Sequence, residues 1–289
     1  MKRILVTGSR GQLGRALNQL LKLQKQYEVY ETDVFVSGDD SIIGLDITDE
    51  TSVSIKISEI KPDIIINCAA LTAVDLCESE QEKAFQINAM GPKNLAKAAT
   101  AIGATLVHVS TDYVFDGQAK VPYVESDATN PSSEYGRTKL AGDQFVLEYC
   151  KEAFVVRTAW VYGEGKNFVK TMLRLAENGN KIRVVSDQFG TPTSALELAR
   201  VILYLMETKS YGIYHATAEG ITNWYEFAKQ IFMEAGKEAQ LEAIPTSEYP
   251  TPAKRPMYSV LDNEQLRERH GYIMKEWKEA LHEYMKSCY

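Results

Sequence analysis

Tyr135 and Lys139 are four residues apart and carry the side chains needed for proton transfer. On a helix, residues at this spacing lie on one face, so the phenol and the ammonium would point the same way. A free tyrosine has a pKa of about 10, and a neighbouring cation lowers this value by favouring the phenolate. We therefore expect Tyr135 to protonate a ketone oxygen and Lys139 to lower the pKa of Tyr135. A solvated helix face is the alternative interpretation, since the chain has 16 tyrosines.

A ketone under reduction also needs a group that holds its oxygen, because hydride addition leaves negative charge there. Ser110 and Thr111 end an apolar stretch near 104–110 that has the pattern of a β-strand. In a parallel sheet the carboxyl ends of the strands form the ligand-binding edge, so Thr111 would lie in the site. We expect the Thr111 hydroxyl to bind the carbonyl oxygen of the substrate.

Three glycines near the N-terminus, Gly8, Gly11 and Gly14, follow an apolar stretch at 4–7 and lead into a helical pattern at 13–23. A strand, a tight glycine turn and a helix N-terminus together cradle a dinucleotide pyrophosphate. Gly8 would permit the turn, Gly11 the close approach of phosphate, and Gly14 the packing of helix on strand. The first spacing is one residue wider than in the common G-x-G-x-x-G pattern. The cofactor contacts predicted here are Gly8, Arg10, Gly11, Gln12, Leu13 and Gly14.

Asp33 and Arg10 bear on which nicotinamide cofactor is bound. Asp33 ends the second predicted strand, 19 residues after Gly14. An acidic side chain at this position accepts hydrogen bonds from a ribose 2′-hydroxyl, which favours NADH. Arg10, in the glycine turn, would instead face the 2′-phosphate of NADPH. The sequence therefore predicts NADPH or NADH as the cofactor.

Two further strand ends supply predicted cofactor contacts. Asp46 and Ile47 follow the third predicted strand. The Asp46 carboxylate would accept a hydrogen bond from the exocyclic amine of adenine. An N-cap of the following helix is an equally good interpretation of Asp46. Ala69 and Ala70 follow the fourth predicted strand, and their small side chains would let a cofactor pass close to the backbone. Dense packing of the sheet would also account for these small residues.

The first half of the chain alternates between strand-like and helix-like stretches, which indicates an α/β fold. We predict a Rossmann-type doubly wound parallel sheet with a smaller C-terminal α/β substrate domain. Residues 1–160 would form the NAD(P)-binding domain and residues 161–289 the substrate-binding domain, with a helix near 194–207 packing back on the first. The predicted strands lie near 2–7, 28–32, 42–45, 63–67, 104–110 and 153–157. The predicted helices lie near 12–24, 50–60, 81–101, 132–150, 166–178, 194–207, 223–235 and 275–286.

Composition and charge exclude several classes of protein. The 289 residues carry a formal net charge of −7, which argues against a nucleic-acid partner. The longest nearly apolar run, 64–74, is too short to span a bilayer, and residues 1–8 do not have the pattern of a signal peptide. The four cysteines and four histidines have no metal-ligand spacing, so we expect reduced thiols and no metal site. These properties predict a cytoplasmic protein.

Several longer runs resemble the extended short-chain dehydrogenase/reductases, and within that superfamily the dTDP-4-dehydrorhamnose reductases. The runs begin at the glycine turn and continue into the last fifth of the chain, so the resemblance covers the whole sequence. They are 7–14 (TGSRGQLG), 67–75 (NCAALTAVD), 110–117 (STDYVFDG), 135–142 (YGRTKLAG), 157–162 (RTAWVY), 187–193 (DQFGTPT) and 249–256 (YPTPAKRP).

The resemblance implies the last step of dTDP-rhamnose biosynthesis: reduction of the 4-keto group of dTDP-4-dehydro-6-deoxy-L-mannose by NADPH or NADH. It assigns the catalytic roles to Thr111, Tyr135 and Lys139, and a sugar contact to Trp160. Asp112, beside Thr111, would be a further substrate contact. Some members of the family are described as magnesium-linked dimers held by acidic residues. No such acidic set is matched in this sequence, so the resemblance is compatible with a monomer or a homodimer.

A nucleotide sugar carries a pyrophosphate and a flat base, so its site needs cations and aromatic faces. Arg255, between prolines in the stretch 245–256, is the predicted phosphate or thymine contact. A solvated arginine is the alternative interpretation. Trp224 and Trp277 lie in helical patterns, and we expect both to be packing residues.

Two other functions fit part of this pattern. Another nucleotide-sugar epimerase or dehydratase would share the fold but would keep its cofactor tightly bound through the cycle. A non-catalytic NADP-binding regulatory subunit would need the cofactor site without a complete acid set. The presence of Thr111, Tyr135 and Lys139 together favours the reductase over the regulatory subunit.

Overall fold

The computed structural model describes residues 1–36, 41–177 and 179–288, without the side chain of Cys288. Residue 178, the last of the predicted helix 166–178, lies outside the described residues. The strands are β1 (Lys2–Thr7), β2 (Tyr27–Asp33), β3 (Ile43–Gly44), β4 (Ile64–Asn67), β5 (Thr105–Thr111), β6 (Ala153–Thr158), β7 (Val161–Tyr162), β8 (Ile182–Val185), β9 (Phe189–Gly190), β10 (Thr193–Ser194), β11 (Gly212–His215), β12 (Thr222–Asn223) and β13 (Leu241–Ile244). The helices are α1 (Gln12–Lys22), α2 (Glu50–Ile60), α3 (Val74–Ser79), α4 (Gln81–Phe85), α5 (Gly91–Ile102), α6 (Glu134–Tyr149), α7 (Phe168–Glu177), α8 (Ala195–Leu205), α9 (Trp224–Glu234), α10 (Glu264–His270) and α11 (Trp277–Cys288).

The described part of the chain contains a parallel seven-stranded sheet in the order β11-β6-β5-β4-β1-β2-β3. From β1 the chain moves outward to β3 on one side, and then from β4 to β6 on the other. This reversal of direction is the doubly wound Rossmann arrangement, so the predicted fold class is confirmed. The six predicted strands all belong to this sheet. The sequence pattern does not predict β11, which pairs with β6 at the edge.

Alternating side chains on β1 explain why both faces of the sheet are covered. Ile4 and Val6 are buried in one core, under α1 and α8, whereas Leu5 is buried in the other, under α2, α5 and α6. Helix α8 also packs directly against α1. Its residues Leu198 and Leu205 are fully buried, and each such leucine stabilises the fold by about 1.5–3 kcal/mol relative to an exposed one. Helix α8 is therefore part of the sheet layer, although 36 residues separate its start from the end of β6.

The C-terminal part of the chain forms a smaller α/β layer with its own core. Helices α7, α9 and α11 pack around Phe227, Ile231 and Leu281, and β8 pairs in parallel with β13 beside them. The chain enters this layer after β6, leaves it through α8 and β11, and returns to it at β12. None of the helices in the described ranges is long and apolar enough to cross a membrane.

The predicted helix near 81–101 is present, but a π turn at Gln86–Met90 separates α4 from α5. Asn88 in this turn is fully buried. Its Oδ1 accepts a hydrogen bond from the Leu71 amide at 2.8 Å, and its Nδ2 donates to the Leu71 carbonyl oxygen at 3.1 Å. The same Nδ2 donates to the Thr138 hydroxyl of α6 at 3.2 Å. The π turn therefore ties the segment after β4 to α6.

Candidate active site

A cleft of about 1070 Å³ lies at the carboxyl ends of the sheet strands and extends to the start of α9. It brings together most of the residues that the sequence predicts for the site. These are Gly8, Gly11, Gln12, Leu13, Gly14, Asp33, Asp46, Ile47, Ala69, Ala70, Thr111, Asp112, Tyr135, Lys139 and Trp160. Arg10 and Arg255 are not part of the described lining and bind groups at its margin.

The turn after β1 is tight because its glycines pack against neighbouring backbone. Gly8 has a φ of 63°, and a Cβ at this position would lie 2.8 Å from the amide nitrogen of Ala69. A Cβ on Gly14 would lie 2.3 Å from the Gly8 carbonyl oxygen. Gly11 is the N-cap of α1, and no side chain of the described residues caps this helix. The backbone N–H groups in the first turn of α1 are therefore available to an anion, and the turn fits a dinucleotide pyrophosphate.

The Asp33 carboxylate is held by two backbone N–H groups. Its Oδ2 accepts a hydrogen bond from the Arg10 amide at 3.0 Å, and its Oδ1 accepts one from the Phe35 amide at 3.1 Å. The exposed Arg10 guanidinium donates to the Phe35 carbonyl oxygen at 3.1 Å. Each carboxylate oxygen has a second lone pair for a ribose hydroxyl. Asp33 and Arg10 thus stabilise one loop at the mouth of the cleft and leave an acceptor inside it.

Asp46 is not the N-cap of α2, so that interpretation is wrong. The N-cap is Asp49, whose carboxylate accepts a hydrogen bond from the Ser52 amide at 3.0 Å. Asp46 instead accepts hydrogen bonds from the backbone amide and the hydroxyl of Thr48, at 2.9 and 2.8 Å. It lines the cleft beside Ile47.

Tyr135 lies in the first turn of α6, which Ser133 caps by accepting a hydrogen bond from the Gly136 amide at 3.1 Å. Burial is the largest influence on the phenol and raises the pKa of Tyr135, whereas a hydrogen bond with Thr111 lowers it. Tyr113 packs edge-on against the Tyr135 ring, with ring centroids 5.4 Å apart. The phenol is therefore protonated at neutral pH, as an acid must be before it donates.

Thr111 and Asp112 form a hydrogen-bonded pair beside this phenol. The Thr111 hydroxyl donates to Asp112 Oδ1 at 2.8 Å, and Asp112 is only 3% exposed. Burial raises the pKa of Asp112 to about 6, although hydrogen bonds from Ser259 and Thr111 oppose this shift. The site thus holds a hydroxyl and a buried carboxyl next to the proton donor.

The Lys139 ammonium binds the backbone of β5 and not the phenol. It is 2% exposed and donates to the Val109 carbonyl oxygen at 2.7 Å. Burial lowers the pKa of Lys139 to about 8, against the opposing charge of Asp143. The expected lowering of the Tyr135 pKa by Lys139 is wrong in this structure, because burial raises that pKa and the neighbouring charge of Asp112 raises it further.

Two stacked indoles close the far end of the cleft. The rings of Trp160 and Trp224 are nearly parallel, with centroids 3.6 Å apart. Trp160 has a φ of 48°, and a Cβ on Gly190 would lie 2.6 Å from its ring. Trp224 packs against the C-terminal core, as predicted, and its side chain also lines the cleft. Trp277 is 5% exposed within the C-terminal core, so its packing role is confirmed.

Arg255 is partly exposed but paired with other side chains, and it is not part of the described cleft lining. Its Nη2 lies 2.7 Å from Asp75 Oδ2, and its Nη1 donates to the Tyr113 hydroxyl at 3.5 Å. Asp75 Oδ1 also accepts a hydrogen bond from the Ala253 amide at 3.1 Å. Because Tyr113 lines the cleft, the guanidinium lies one side chain behind its wall.

Comparison with known proteins assigns the chain to a family. A family model described as the RmlD substrate binding domain matches residues 1–289. A dTDP-4-dehydrorhamnose reductase from Escherichia coli (strain K12) is 42% identical over 291 residues, covering 95% of this chain and 94% of the relative. The chain belongs to the dTDP-4-dehydrorhamnose reductase family.

Solved structures of family members share the fold over the full length. A dTDP-4-dehydrorhamnose reductase ortholog from Clostridium acetobutylicum is 50% identical with a TM-score of 0.94, covering 99% of both chains. The reductase from Bacillus anthracis, solved in complex with NADP, is 40% identical with a TM-score of 0.93, covering 99% of this chain and 100% of the other. The assignment therefore holds for the sheet layer and the C-terminal layer alike.

The structure adds cleft residues that sequence reasoning missed. Phe35, Tyr113 and Trp224 line the cleft, and of these only Tyr113 lies in a run that resembles the family, two residues beyond Thr111. Among the residues that the structure describes, no group of three or more His, Cys, Asp or Glu side chains is arranged to hold a metal ion. The described residues therefore provide no candidate ligand set for the magnesium that the resemblance associates with some family members.

Proposed function

We propose that this protein catalyses the NAD(P)H-dependent reduction of the 4-keto group of dTDP-4-dehydro-6-deoxy-L-mannose to dTDP-L-rhamnose. One observation carries the proposal. A single cleft joins the glycine turn to Thr111, Tyr135 and Lys139 and ends at the stacked rings of Trp160 and Trp224. It has room for a dinucleotide at one end and a sugar at the other, with a proton donor between them. The names of relatives at 42% and 50% identity support the choice of substrate.

The cofactor would lie across the carboxyl ends of β1, β2 and β4. Its pyrophosphate would meet the N-terminus of α1, which no side chain of the described residues caps. Asp33 would accept a hydrogen bond from the adenosine ribose, and Arg10 would bind a 2′-phosphate. Asp46 and Ile47 would contact adenine, and Ala69 and Ala70 would border the backbone beside the pyrophosphate. The NADP complex of the Bacillus anthracis relative supports NADPH as one of the two cofactors.

The chemistry between the two ends of the cleft follows from Tyr135, Thr111 and Lys139. When bound, NADPH supplies the hydride that adds to C4 of the sugar. Tyr135 donates its phenolic proton to the C4 oxygen, so the new O–H bond forms as the phenol becomes a phenolate. Thr111 holds the same oxygen through its hydroxyl, and Lys139 holds the nicotinamide ribose. The phenolate then takes a proton from water, which restores the acid for the next turnover.

The substrate end of the cleft would bind the nucleotide sugar through aromatic and charged groups. Trp160 presents an indole to the sugar, and Trp224 stacks behind it and fixes its orientation. Asp112 would accept a hydrogen bond from a sugar hydroxyl beside the reacting carbon. Arg255 would provide the positive charge for a phosphate once its bond to Tyr113 or Asp75 is exchanged.

The decisive experiment combines the purified protein with the 4-keto nucleotide sugar and NADPH. We expect the absorbance of the reduced nicotinamide to fall as dTDP-L-rhamnose appears by mass spectrometry. Protein that binds NADPH without consuming it would support the regulatory-subunit function instead. Protein that retains a tightly bound cofactor and interconverts nucleotide sugars without net oxidation of NADPH would support the epimerase or dehydratase function. Either result contradicts the proposal.

We assign the reaction to the cytoplasm. The described cysteines Cys68, Cys77 and Cys150 are free thiols, which supports a reducing compartment. Monomer and homodimer both remain compatible with the cleft, because all the proposed contacts come from one chain. Light scattering during size-exclusion chromatography distinguishes these two states.

A further inference from the structure

A row of buried polar side chains lies beneath Lys139 and is not used by the proposed reaction. It consists of Asn67 on β4, His108 on β5, Asp143 on α6 and Arg157 on β6, each at most 3% exposed. Burying this many polar groups is costly unless each is paired. Their arrangement therefore calls for an account beyond the packing of the sheet.

The hydrogen bonds of Asn67 determine which nitrogen of His108 carries its proton. Asn67 Oδ1 accepts hydrogen bonds from the Ala69 amide at 3.2 Å and from the Thr7 hydroxyl at 2.6 Å, so Asn67 Nδ2 must be the donor. This Nδ2 lies 3.0 Å from His108 Nδ1, which is consequently the acceptor. Because burial lowers the pKa of His108 well below its usual range, the ring is neutral and its proton is on Nε2.

The His108 Nε2–H group lies between a carboxylate and an ammonium. Nε2 is 3.6 Å from Asp143 Oδ1 and 3.4 Å from Lys139 Nζ. A protonated Nε2 cannot accept a hydrogen bond from the ammonium, which donates to the Val109 carbonyl oxygen instead. The imidazole is therefore a neutral spacer between Asp143 and Lys139. On its other side, Asp143 Oδ2 accepts a hydrogen bond from Arg157 Nε at 3.3 Å.

We propose that Asp143 is a positioning residue that keeps the buried Lys139 ammonium charged, and that Arg157 limits this effect by sharing the same carboxylate. The proposal rests on the proposed function only in that Lys139 binds the cofactor ribose. With Lys139 and Arg157 positive, Asp143 negative and His108 neutral, the group carries one net positive charge.

Within this group, Lys139 is the side chain that changes its charge in mildly alkaline solution. Burial lowers the pKa of Lys139 to about 8 and raises that of Cys68 to about 12. The pKa of Tyr135 is raised, and that of His108 lies far below neutrality. Burial raises the pKa of Asp143, and the charges of Arg157 and Lys139 oppose this shift. The titratable groups that act on Lys139 or contact it are Asp143 on α6, Cys68 after β4 and His108 on β5. Arg157 on β6 contacts Asp143, and Tyr135 lies one turn before Lys139 on α6.

The test measures NADPH affinity by fluorescence between about pH 7 and pH 10, with no sugar present. Affinity should fall as Lys139 loses its proton, and in Asp143→Asn the midpoint of this fall should move down by about one pH unit or more. Arg157→Gln should move the midpoint up, because a competing positive charge is removed. Opposite shifts from the two partners of one ion pair distinguish an electrostatic role from a loss of packing, which would not move the two midpoints in opposite directions.

Two further variants serve as controls. Glu148→Gln removes one negative charge from an exposed position on the same helix and should leave the midpoint unchanged. Asp143→Glu keeps the charge and should restore most of the parent profile. An unmoved midpoint in folded Asp143→Asn overturns the proposal, and if that variant does not fold, a downward shift or none in Arg157→Gln overturns it. Protein that shows both shifts but does not reduce the nucleotide sugar contradicts the proposed function alone.

Discussion

Tyr135 decides whether the cleft performs acid catalysis, because its phenolic proton is the one that the proposed reaction consumes. Tyr135→Phe keeps the ring and its edge-on contact with Tyr113 but removes this proton. We expect kcat to fall by a factor of about 10² to 10⁴, with a much smaller change in KM. Steady-state oxidation of NADPH measures both constants, and Tyr149→Phe at the end of the same helix is the matched control. A turnover within about threefold of the parent would remove Tyr135 from the acid role.

Asp112 gives a second prediction at this scale, on stability. Its pKa is raised to about 6 by burial, so the folded state holds this proton more tightly than the unfolded state. Its ionisation therefore lowers the free energy of unfolding increasingly as the pH rises from about 4 to about 6, and by a constant amount above that. Asp112→Asn removes this penalty and should raise the free energy of unfolding at pH 8 by about 2–3 kcal/mol relative to its effect at pH 4.

Urea unfolding at the two pH values measures this difference, and Asp116→Asn provides a control of opposite sign. The pKa of Asp116 is lowered, chiefly by the hydrogen bond from Tyr123, so its charge stabilises the folded state above its pKa. Asp116→Asn should therefore lower the free energy of unfolding, relative to the parent protein, more at pH 8 than at low pH. An Asp112→Asn variant whose gain is the same at both pH values would show that folding does not raise the pKa of Asp112.

At the scale of elements, the contact between Gly190 on β9 and the loop before β7 orients the Trp160 indole, which we propose contacts the sugar. Gly190→Ala would place a Cβ 2.6 Å from the Trp160 ring and so displace it from Trp224. Such aromatic pairs stabilise by about 0.5–1.5 kcal/mol, so KM for the nucleotide sugar should rise by about two- to tenfold. The dissociation constant of NADPH should not change.

The control for this prediction is Gly44→Ala on β3, where a Cβ would meet Val36 at 3.8 Å, an ordinary contact distance. It should leave both constants unchanged. If Gly190→Ala weakens NADPH binding as much as it weakens sugar binding, the β9 contact supports the whole cleft and not the indole alone.

Local signals explain which parts of this site were predictable. The glycine turn and the placement of Tyr135 and Lys139 on one helix were predictable, because their geometry depends on neighbours within one strand and one helix. The role of Trp224 was not, because it depends on stacking against a residue 64 positions earlier in the chain. The predicted direction of the Tyr135 pKa shift was also wrong. Sequence spacing contains no information about burial or about the carbonyl oxygen that binds Lys139.

At the scale of the whole molecule, the ion pair of Arg255 with Asp75 links the loop before α10 to α3. Both side chains are partly exposed, so the pair should contribute less than about 1 kcal/mol to the free energy of unfolding. Arg255→Met should therefore change the urea midpoint little. If the guanidinium binds a substrate phosphate, KM for the nucleotide sugar should rise at least about tenfold, because a hydrogen bond to a charged group contributes about 1.5–3 kcal/mol.

Arg183→Met is the matched control, since Arg183 forms an exposed ion pair with Glu248 in the same half of the chain and does not line the described cleft. It should leave KM unchanged. A large loss of stability in Arg255→Met with an unchanged KM would make the pair a structural link and remove Arg255 from the substrate site.

The pairing of β11 with β6 has a consequence for synthesis of the chain. Translation produces β6 about fifty residues before β11, so the nascent sheet has an unpaired parallel edge while much of the C-terminal layer is being made. Helix α8, which covers one face of the sheet, emerges in the same interval. Exposed strand edges and apolar faces favour association with other chains, so this is the period when a ribosome-bound chaperone would protect the protein most. The nucleotide-binding layer, although encoded first, is completed late.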